Sequence, residues 1–145
     1  MQRKVSIMHM MNKWTLNPKR LFLLDGLGAC LTAFLLGVVL TAFNEYFGMP
    51  QKTLNILALI ALGFAVYSIC CFFFVGSNWR PFLKIIAAAN LLYCCLTTVL
   101  VIYFYPQLTV FGVIYFLLEI VVVCGLVFVE LRWASDKISL RENIQ

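Results

Sequence analysis

The chain has 145 residues, of which 63% are hydrophobic and 12% are charged, and its formal net charge is +5. A soluble domain is about half apolar and about one-quarter charged, so this composition excludes an ordinary soluble fold. The basic residues stand at the ends of apolar segments and form no aromatic-and-basic stripe, which argues against nucleic acid as a partner.

The N-terminal segment, residues 1–20, contains basic residues and no acidic ones, and we predict that it is cytoplasmic. Met8, Met11 and Trp14 form either a short apolar face on the membrane surface or part of a loose tail. Asn17 is a candidate N-cap, because the proline that follows suits the first position of a helix. The chain has a single histidine, His9. We therefore expect no haem, no metal site and no other cofactor.

Four apolar segments are each long enough to cross a hydrocarbon core of about 30 Å. In the first, Ala29, Ala33 and Gly37 recur at every fourth residue, a spacing that allows a neighbouring helix to approach closely. We therefore predict an all-α integral membrane protein, an up-down bundle of four transmembrane helices followed by a polar tail at 132–145. The transmembrane domain spans 21–131, and its predicted helices cover about 21–43, 53–75, 82–105 and 110–131.

The distribution of basic residues predicts the orientation of the bundle. All Lys and Arg residues except Lys52 lie in the N-terminal segment, around the central connection or in the tail. By the positive-inside rule, both termini and the central connection are cytoplasmic. Trp79 and Trp133 fall at the predicted cytoplasmic ends and Tyr46 and Tyr105 near the opposite ends, which is typical of aromatic belts.

Glu119 lies near the middle of the fourth predicted span. A charged side chain at that depth costs at least about 2.5–3.5 kcal/mol, so Glu119 is predicted to face the bundle interior. Tyr115 lies one helical turn earlier, and Tyr93 of the third span is within plausible reach. Two interpretations remain open: a carboxyl that carries a proton or binds a cation, or a protonated carboxyl that joins two helices by hydrogen bonds.

Two further carboxyls lie closer to the predicted cytoplasmic side. Asp25 is predicted to pair with Arg20, Lys84 or Arg80, or else to line a polar path together with the carboxyl of the fourth span. Glu130 is predicted to lie at the membrane edge and to pair with nearby basic residues or with water.

A polar stripe runs along the third span. Its members, spaced for one helical face, are Asn90, Tyr93, Cys94 and Thr97. Such a stripe either bonds neighbouring helices or lines a cavity with Asp25 and the Glu119 carboxyl. Residues 25–32 align weakly with 90–97, either by coincidence or as an internal repeat, and a repeat would place Asp25 and Asn90 at similar depth.

All six cysteines fall inside the predicted spans, and there is no Cys-x-x-Cys motif. The adjacent pairs, Cys70–Cys71 and Cys94–Cys95, suggest a remote alternative, the transfer of a soft metal through thiols. No nucleophile–base pair, glycine-rich phosphate loop or zinc-ligand spacing occurs, so we do not predict an enzyme.

Three segments carry a resemblance to a known group. KRLFLLDGLGA at 19–29, NWRPFLK at 78–84 and NLLYC at 90–94 resemble the matching parts of small four-span hypothetical proteins of Bacteroidota. The similarity covers the spans and excludes both tails. It implies a bacterial inner (plasma) membrane location and supplies no catalytic residues.

The leading functional hypothesis is a non-enzymatic membrane protein, either a self-associating bundle or an accessory subunit of a larger membrane complex. Its partners are then the lipid bilayer and either a second copy or another membrane protein. The alternative is a small proton- or cation-coupled transporter that uses Glu119, with Asp25, Asn90 and Tyr93 lining the path.

Overall fold

The computed structural model describes residues 2–4, 6 and 18–142, and it describes side chains as far as Ser135. The predicted surface face of Met8, Met11 and Trp14, the N-cap at Asn17 and His9 lie outside the described residues. From residue 18 onward the chain forms five α-helices and one π-helix. They are α1 (Pro18–Phe34), continued by the π-helix (Leu35–Leu40), α2 (Asn44–Phe47), α3 (Gln51–Phe74), α4 (Arg80–Tyr103) and α5 (Val110–Glu142).

Four of these segments are long and apolar enough to cross a membrane. They are Pro18–Leu40, Gln51–Phe74, Arg80–Tyr103 and Val110–Ser135. This confirms the prediction of four apolar membrane helices, and the chain is a multi-pass membrane protein in its architecture. α5 continues through Glu142, whereas the sequence predicted that the span ended near residue 131.

Proline and glycine set several helix ends. Pro81 stands in the first turn of α4, where its missing N–H has no helical partner to lose. Gly48 follows α2 with φ 78°, a left-handed conformation that favours glycine. Pro50 then precedes α3 in an extended conformation. The π-helix was not predicted, and the Thr41 hydroxyl donates to the Leu36 carbonyl oxygen there at 2.9 Å.

The four spans pack as two antiparallel hairpins, because α1 lies close to α3 and α4 lies close to α5 along much of their lengths. Small residues allow the close approach of α1 to α3. A Cβ added at Gly26 would lie 3.2 Å from Ile69, and one added at Gly37 would lie 3.3 Å from Ala58. The small-residue spacing predicted close packing of the first span, and Gly26 extends that contact surface by nearly a further turn.

Apolar side chains close both ends of the bundle. We name the ends after Trp79 and Gly48, the residues in the turns there. The Trp79-end cluster consists of Phe22, Cys71, Leu83, Ile86 and Ala134. The Gly48-end cluster consists of Leu36, Leu40, Met49, Leu54, Leu57, Tyr93, Val101 and Phe116. Buried polar residues lie mainly between the two clusters, and they are Asp25, Ser68, Asn90, Thr97, Glu119 and Glu130.

The two turns at the Gly48 end are joined to each other. The Thr109 amide donates to the Phe47 carbonyl oxygen at 3.2 Å, and the Thr109 hydroxyl donates to the carbonyl oxygen of Tyr46. A Cβ at Gly48 would overlap the carbonyl of Gln107. The hairpins therefore meet backbone to backbone at this end.

Candidate functional site

Asp25 is the centre of a hydrogen-bonded group that joins α1, α3 and α4. The Ser68 hydroxyl donates to its Oδ2 atom, and the Asn90 Nδ2 atom donates to its Oδ1 atom at 2.7 Å. Asp25 is 2% exposed, and its two donors are also buried. Buried polar groups are stable in apolar surroundings when they are hydrogen-bonded, so the three side chains satisfy one another between the helices.

These partners differ from the basic residues that the sequence suggested for Asp25. Its recorded hydrogen bonds come from Ser68 and Asn90, not from a described lysine or arginine. Arg80 instead lies over the Trp79 ring, with its guanidinium carbon 5.9 Å from the ring centroid. Asp25 faces the interior of the bundle, whereas the basic side chains stand at helix ends near solvent.

The environment of Glu130 contradicts the prediction that this residue pairs with basic groups or with water at the membrane edge. It is 0% exposed, and neither carboxyl oxygen has a hydrogen-bond partner among the described residues. Ala134, one helical turn beyond Glu130, packs in the same cluster as Phe22, which lies one turn before Asp25, so the two carboxyls lie in one layer of the bundle. The prediction was wrong because distance along the helix gave its depth but not the face of α5 on which it stands.

Tyr93 and Glu119 form the second hydrogen-bonded pair, between α4 and α5. The Tyr93 hydroxyl donates to the Glu119 Oε1 atom at 2.8 Å, while Glu119 Oε2 has no partner in the described part of the chain. Tyr115 stands one helical turn before Glu119 on α5 and packs against the Gly48-end cluster, to which Tyr93 belongs. Thr97 is fully buried, and its hydroxyl has no hydrogen-bond partner among the residues that the structure describes.

A cavity of about 60 Å³ lies between the two hydrogen-bonded groups. It is large enough to hold water molecules, and polar side chains that could bind them line it. Gly28 and Val122 line it and are exposed, so the cavity opens between α1 and α5. Glu119 is not among its lining residues, although Tyr93, its hydrogen-bond partner, is. The lining residues are Asp25, Gly28, Ala29, Thr32, Ala61, Phe64, Asn90, Tyr93, Val122, Val123 and Leu126.

The six site residues predicted from the sequence therefore fall into two neighbouring groups. Asp25 and Asn90 belong to the first, and Tyr93, Thr97, Tyr115 and Glu119 belong to the second or lie beside it. The internal repeat predicted similar depth for Asp25 and Asn90, and their direct hydrogen bond confirms this.

Sequence reasoning missed two residues of the site, Ser68 and Glu130. Ser68 follows Ala61 and Ala65 on the small, buried face of α3, and this spacing could have indicated its position. Glu130 stands eleven residues after Glu119 in the printed sequence, close to three helical turns, so the two carboxyls share one face of α5.

Cysteines that are adjacent in the sequence do not bring their thiols together, although the adjacency suggested a pair of thiols for a soft metal. In each adjacent pair one thiol is buried and its neighbour is exposed, so the two point to different faces. The thiols that approach each other are Cys94 and Cys124, with their sulfur atoms 3.8 Å apart. Among the described residues there is no group of three or more His, Cys, Asp and Glu that could hold a metal ion.

The Asp25–Asn90 hydrogen bond is expected to couple the two hairpins energetically. In a double-mutant cycle of Asp25→Ala and Asn90→Ala, we expect a coupling free energy of about 0.6–1.7 kcal/mol, the range for polar pairs in membranes. Unfolding in mixed micelles measures it. The control cycle pairs Asp25 with exposed Asn78, and equal coupling in both cycles would contradict a specific contact.

Comparisons with protein-family models, with curated protein sequences and with solved structures each found no match. We therefore infer the function from the geometry of the buried polar groups.

Proposed function

We propose that this protein is a non-enzymatic inner-membrane protein, a small proton- or cation-coupled transporter in which Glu119 carries the ion. The observation that supports this most directly is the state of the Glu119 carboxyl. One oxygen accepts a hydrogen bond from Tyr93, and the other is buried without a partner among the described residues. In the proposed orientation both termini face the cytoplasm, following the basic residues.

A purely structural carboxyl would be more fully bonded. An unsatisfied buried polar group costs about 1–3 kcal/mol of stability. A carboxyl that only joins helices therefore stabilises the fold best when both of its oxygens are hydrogen-bonded. Glu119 Oε2 lacks a partner in the described part of the chain, and so does the hydroxyl of Thr97, which stands one turn after Tyr93 on α4. A carboxyl oxygen that accepts no hydrogen bond is suited to bind and release a proton or a cation.

The arrangement of layers is consistent with transport. Asp25 and Asn90 line one side of the cavity, and Tyr93 connects the cavity to Glu119 through its hydroxyl. The Trp79-end cluster lies on one side of this polar layer, and the Gly48-end cluster, to which Tyr93 itself belongs, extends on the other side. A carrier needs a barrier on each side of its ion site, and either cluster can serve as one when the hairpins move against each other.

Charge displacement on a supported membrane tests the proposal without knowledge of the transported molecule. The protein is reconstituted in liposomes, and a pH step or a step from choline to sodium is applied. We expect the wild type to give a transient current and Glu119→Gln to reduce it by about tenfold or more, because the amide cannot bind the ion.

The matched control is Glu45→Gln, since Glu45 is an exposed carboxyl in α2 at the Gly48 end. It should keep the wild-type current. Two results would overturn the proposal: wild-type liposomes that behave as empty ones under both steps, or a Glu119→Gln variant with the full current. Either result would favour the self-associating bundle or accessory subunit instead.

A further inference from the structure

The environment of Glu130 points to a second ion site, separate from the Tyr93–Glu119 pair. Glu130 is fully enclosed, yet neither of its oxygens accepts a hydrogen bond from any described residue. We propose that Glu130 and Asp25, together with Ser68 and Asn90, bind one monovalent cation, either an alkali ion or a proton. The role of this site in transport rests on the proposed function, but its binding is tested independently.

The site draws one residue from each membrane helix. Asp25 is held by the Ser68 hydroxyl and the Asn90 amide, so its position between α1, α3 and α4 is fixed. Glu130 approaches from α5. Ala134, one helical turn beyond it, packs in the Trp79-end cluster with Phe22 and Ile86. These two residues lie one turn from Asp25 and Asn90, so the two carboxyls lie in the same layer of the bundle. An ion that binds both carboxyls therefore contacts all the spans, and its binding stabilises their association.

Electrostatics favours a bound positive charge. Two buried carboxylates repel each other strongly where the dielectric constant is low, and an uncompensated buried charge costs several kcal/mol. A single cation, or a proton on one carboxyl, removes most of this penalty. The hydrogen bonds to Asp25 come from neutral groups and cannot supply that charge.

The described basic side chains nearest to this end do not bond to Glu130. Neither Glu130 oxygen accepts a hydrogen bond from a described residue, and the Arg132 guanidinium lies over the Phe128 ring, 5.9 Å from its centroid. The Trp79-end cluster lies between the site and the helix ends that carry most of these groups. The other titratable groups in the halves of α1, α3 and α4 toward the Trp79 end are Lys19, Arg20, Tyr67, Cys70, Cys71, Arg80 and Lys84.

The ligand atoms indicate the kind of ion. Carboxyl, hydroxyl and amide oxygens are hard ligands, which suit alkali ions and protons and disfavour soft metals. A calcium site takes about six to eight oxygens, and these four side chains carry six, of which both Asp25 oxygens already accept hydrogen bonds. The adjoining cavity of about 60 Å³, which Asp25 and Asn90 line, has room for a hydrating water molecule.

Thermal unfolding of the purified full chain in detergent tests alkali-ion binding. At constant ionic strength, replacing choline by sodium is expected to raise the wild-type Tm by about 5 °C at saturation. Glu130→Gln should lose this shift. Glu45→Gln should keep it, because its exposed carboxyl lies in α2 at the Gly48 end, outside the site.

A second measurement tests the proton as the ion. In choline buffer without alkali ions, proton uptake on a pH step is measured with an indicator dye. If the ion is a proton, Glu130→Gln takes up fewer protons than the wild type, while sodium leaves Tm unchanged. Ser68→Ala, which removes only a hydroxyl group, should weaken the sodium-dependent Tm shift or the proton uptake several-fold. It replaces Glu130→Gln in the test if that variant does not fold.

The proposal is overturned if Glu130→Gln matches the wild type in both measurements. If Glu130→Gln does not fold, the proposal is overturned when Ser68→Ala matches the wild type in both. Failure of the proposed function looks different. In that case Glu119→Gln leaves the charge displacement unchanged, while the response that depends on Glu130 persists.

Discussion

Replacing Gly28 by leucine is expected to reduce the pH- or sodium-driven charge displacement by about tenfold or more while the protein stays folded. Gly28 lines the cavity between Asp25 and Tyr93, and a Cβ added there meets no other atom within 4 Å. A Cβ can therefore be added at this rim of the cavity without a clash, and we expect the rest of the leucine side chain to occupy the cavity. It removes the space in which water or an ion would connect the two polar groups.

Gly63→Leu is the matched control for this substitution. Gly63 lies in α3, is exposed, and likewise has no atom within 4 Å of an added Cβ, but it does not line the cavity. The two variants receive the same side chain in open space within a membrane helix. Equal currents from both variants would show that the cavity has no part in ion movement.

Replacing Gly112 by alanine is expected to destabilise the protein by about 3 kcal/mol, or to lower its Tm by roughly 10 °C. An added Cβ at Gly112 would overlap the carbonyl oxygen of Phe47. Backbone cannot move aside as the end of a flexible side chain can. The contact between α2 and the start of α5 therefore opens, and the hydrogen bond from Thr109 to Phe47 is weakened with it.

Gly125→Ala provides the control within the same helix. Gly125 is exposed, and an added Cβ there meets nothing within 4 Å. Alanine favours a helix over glycine by up to about 1 kcal/mol, so this variant should be slightly stabilised. The two substitutions are identical in chemistry and are predicted to have opposite signs. Thermal unfolding in detergent measures both, and equal shifts would contradict the close approach at Gly112.

The three ion-related variants separate the parts of the proposed path. Glu119→Gln tests the carboxyl in the middle of the bundle, and Gly28→Leu tests the cavity beside it. Glu130→Gln tests the carboxyl site next to the Trp79-end cluster. If Gly28→Leu stops charge displacement but leaves the sodium or proton response of Glu130 intact, the cavity connects two sites that bind independently.

The amino-acid sequence by itself determined the class of the protein and the number of its membrane helices. Long apolar segments interrupted by Gly48, Pro50 and Pro81 predict helices and turns from local composition alone, and these were found. The interior position of Glu119 also followed, because a carboxyl in the middle of an apolar helix is costly on the lipid side. The spacing from Asn90 to Thr97 placed the polar stripe on one face, and its members Asn90, Tyr93, Cys94 and Thr97 are buried.

Only the tertiary structure decided which polar groups meet. The partners of Asp25, the burial of Glu130 and the cavity at Gly28 depend on the relative rotation and depth of the helices. Those quantities are set by contacts between residues distant in the sequence, such as the approach of Gly26 to α3 and the joined turns at the Gly48 end. Periodicity assigns a residue to a face of its own helix, but it does not determine which neighbouring helix covers that face.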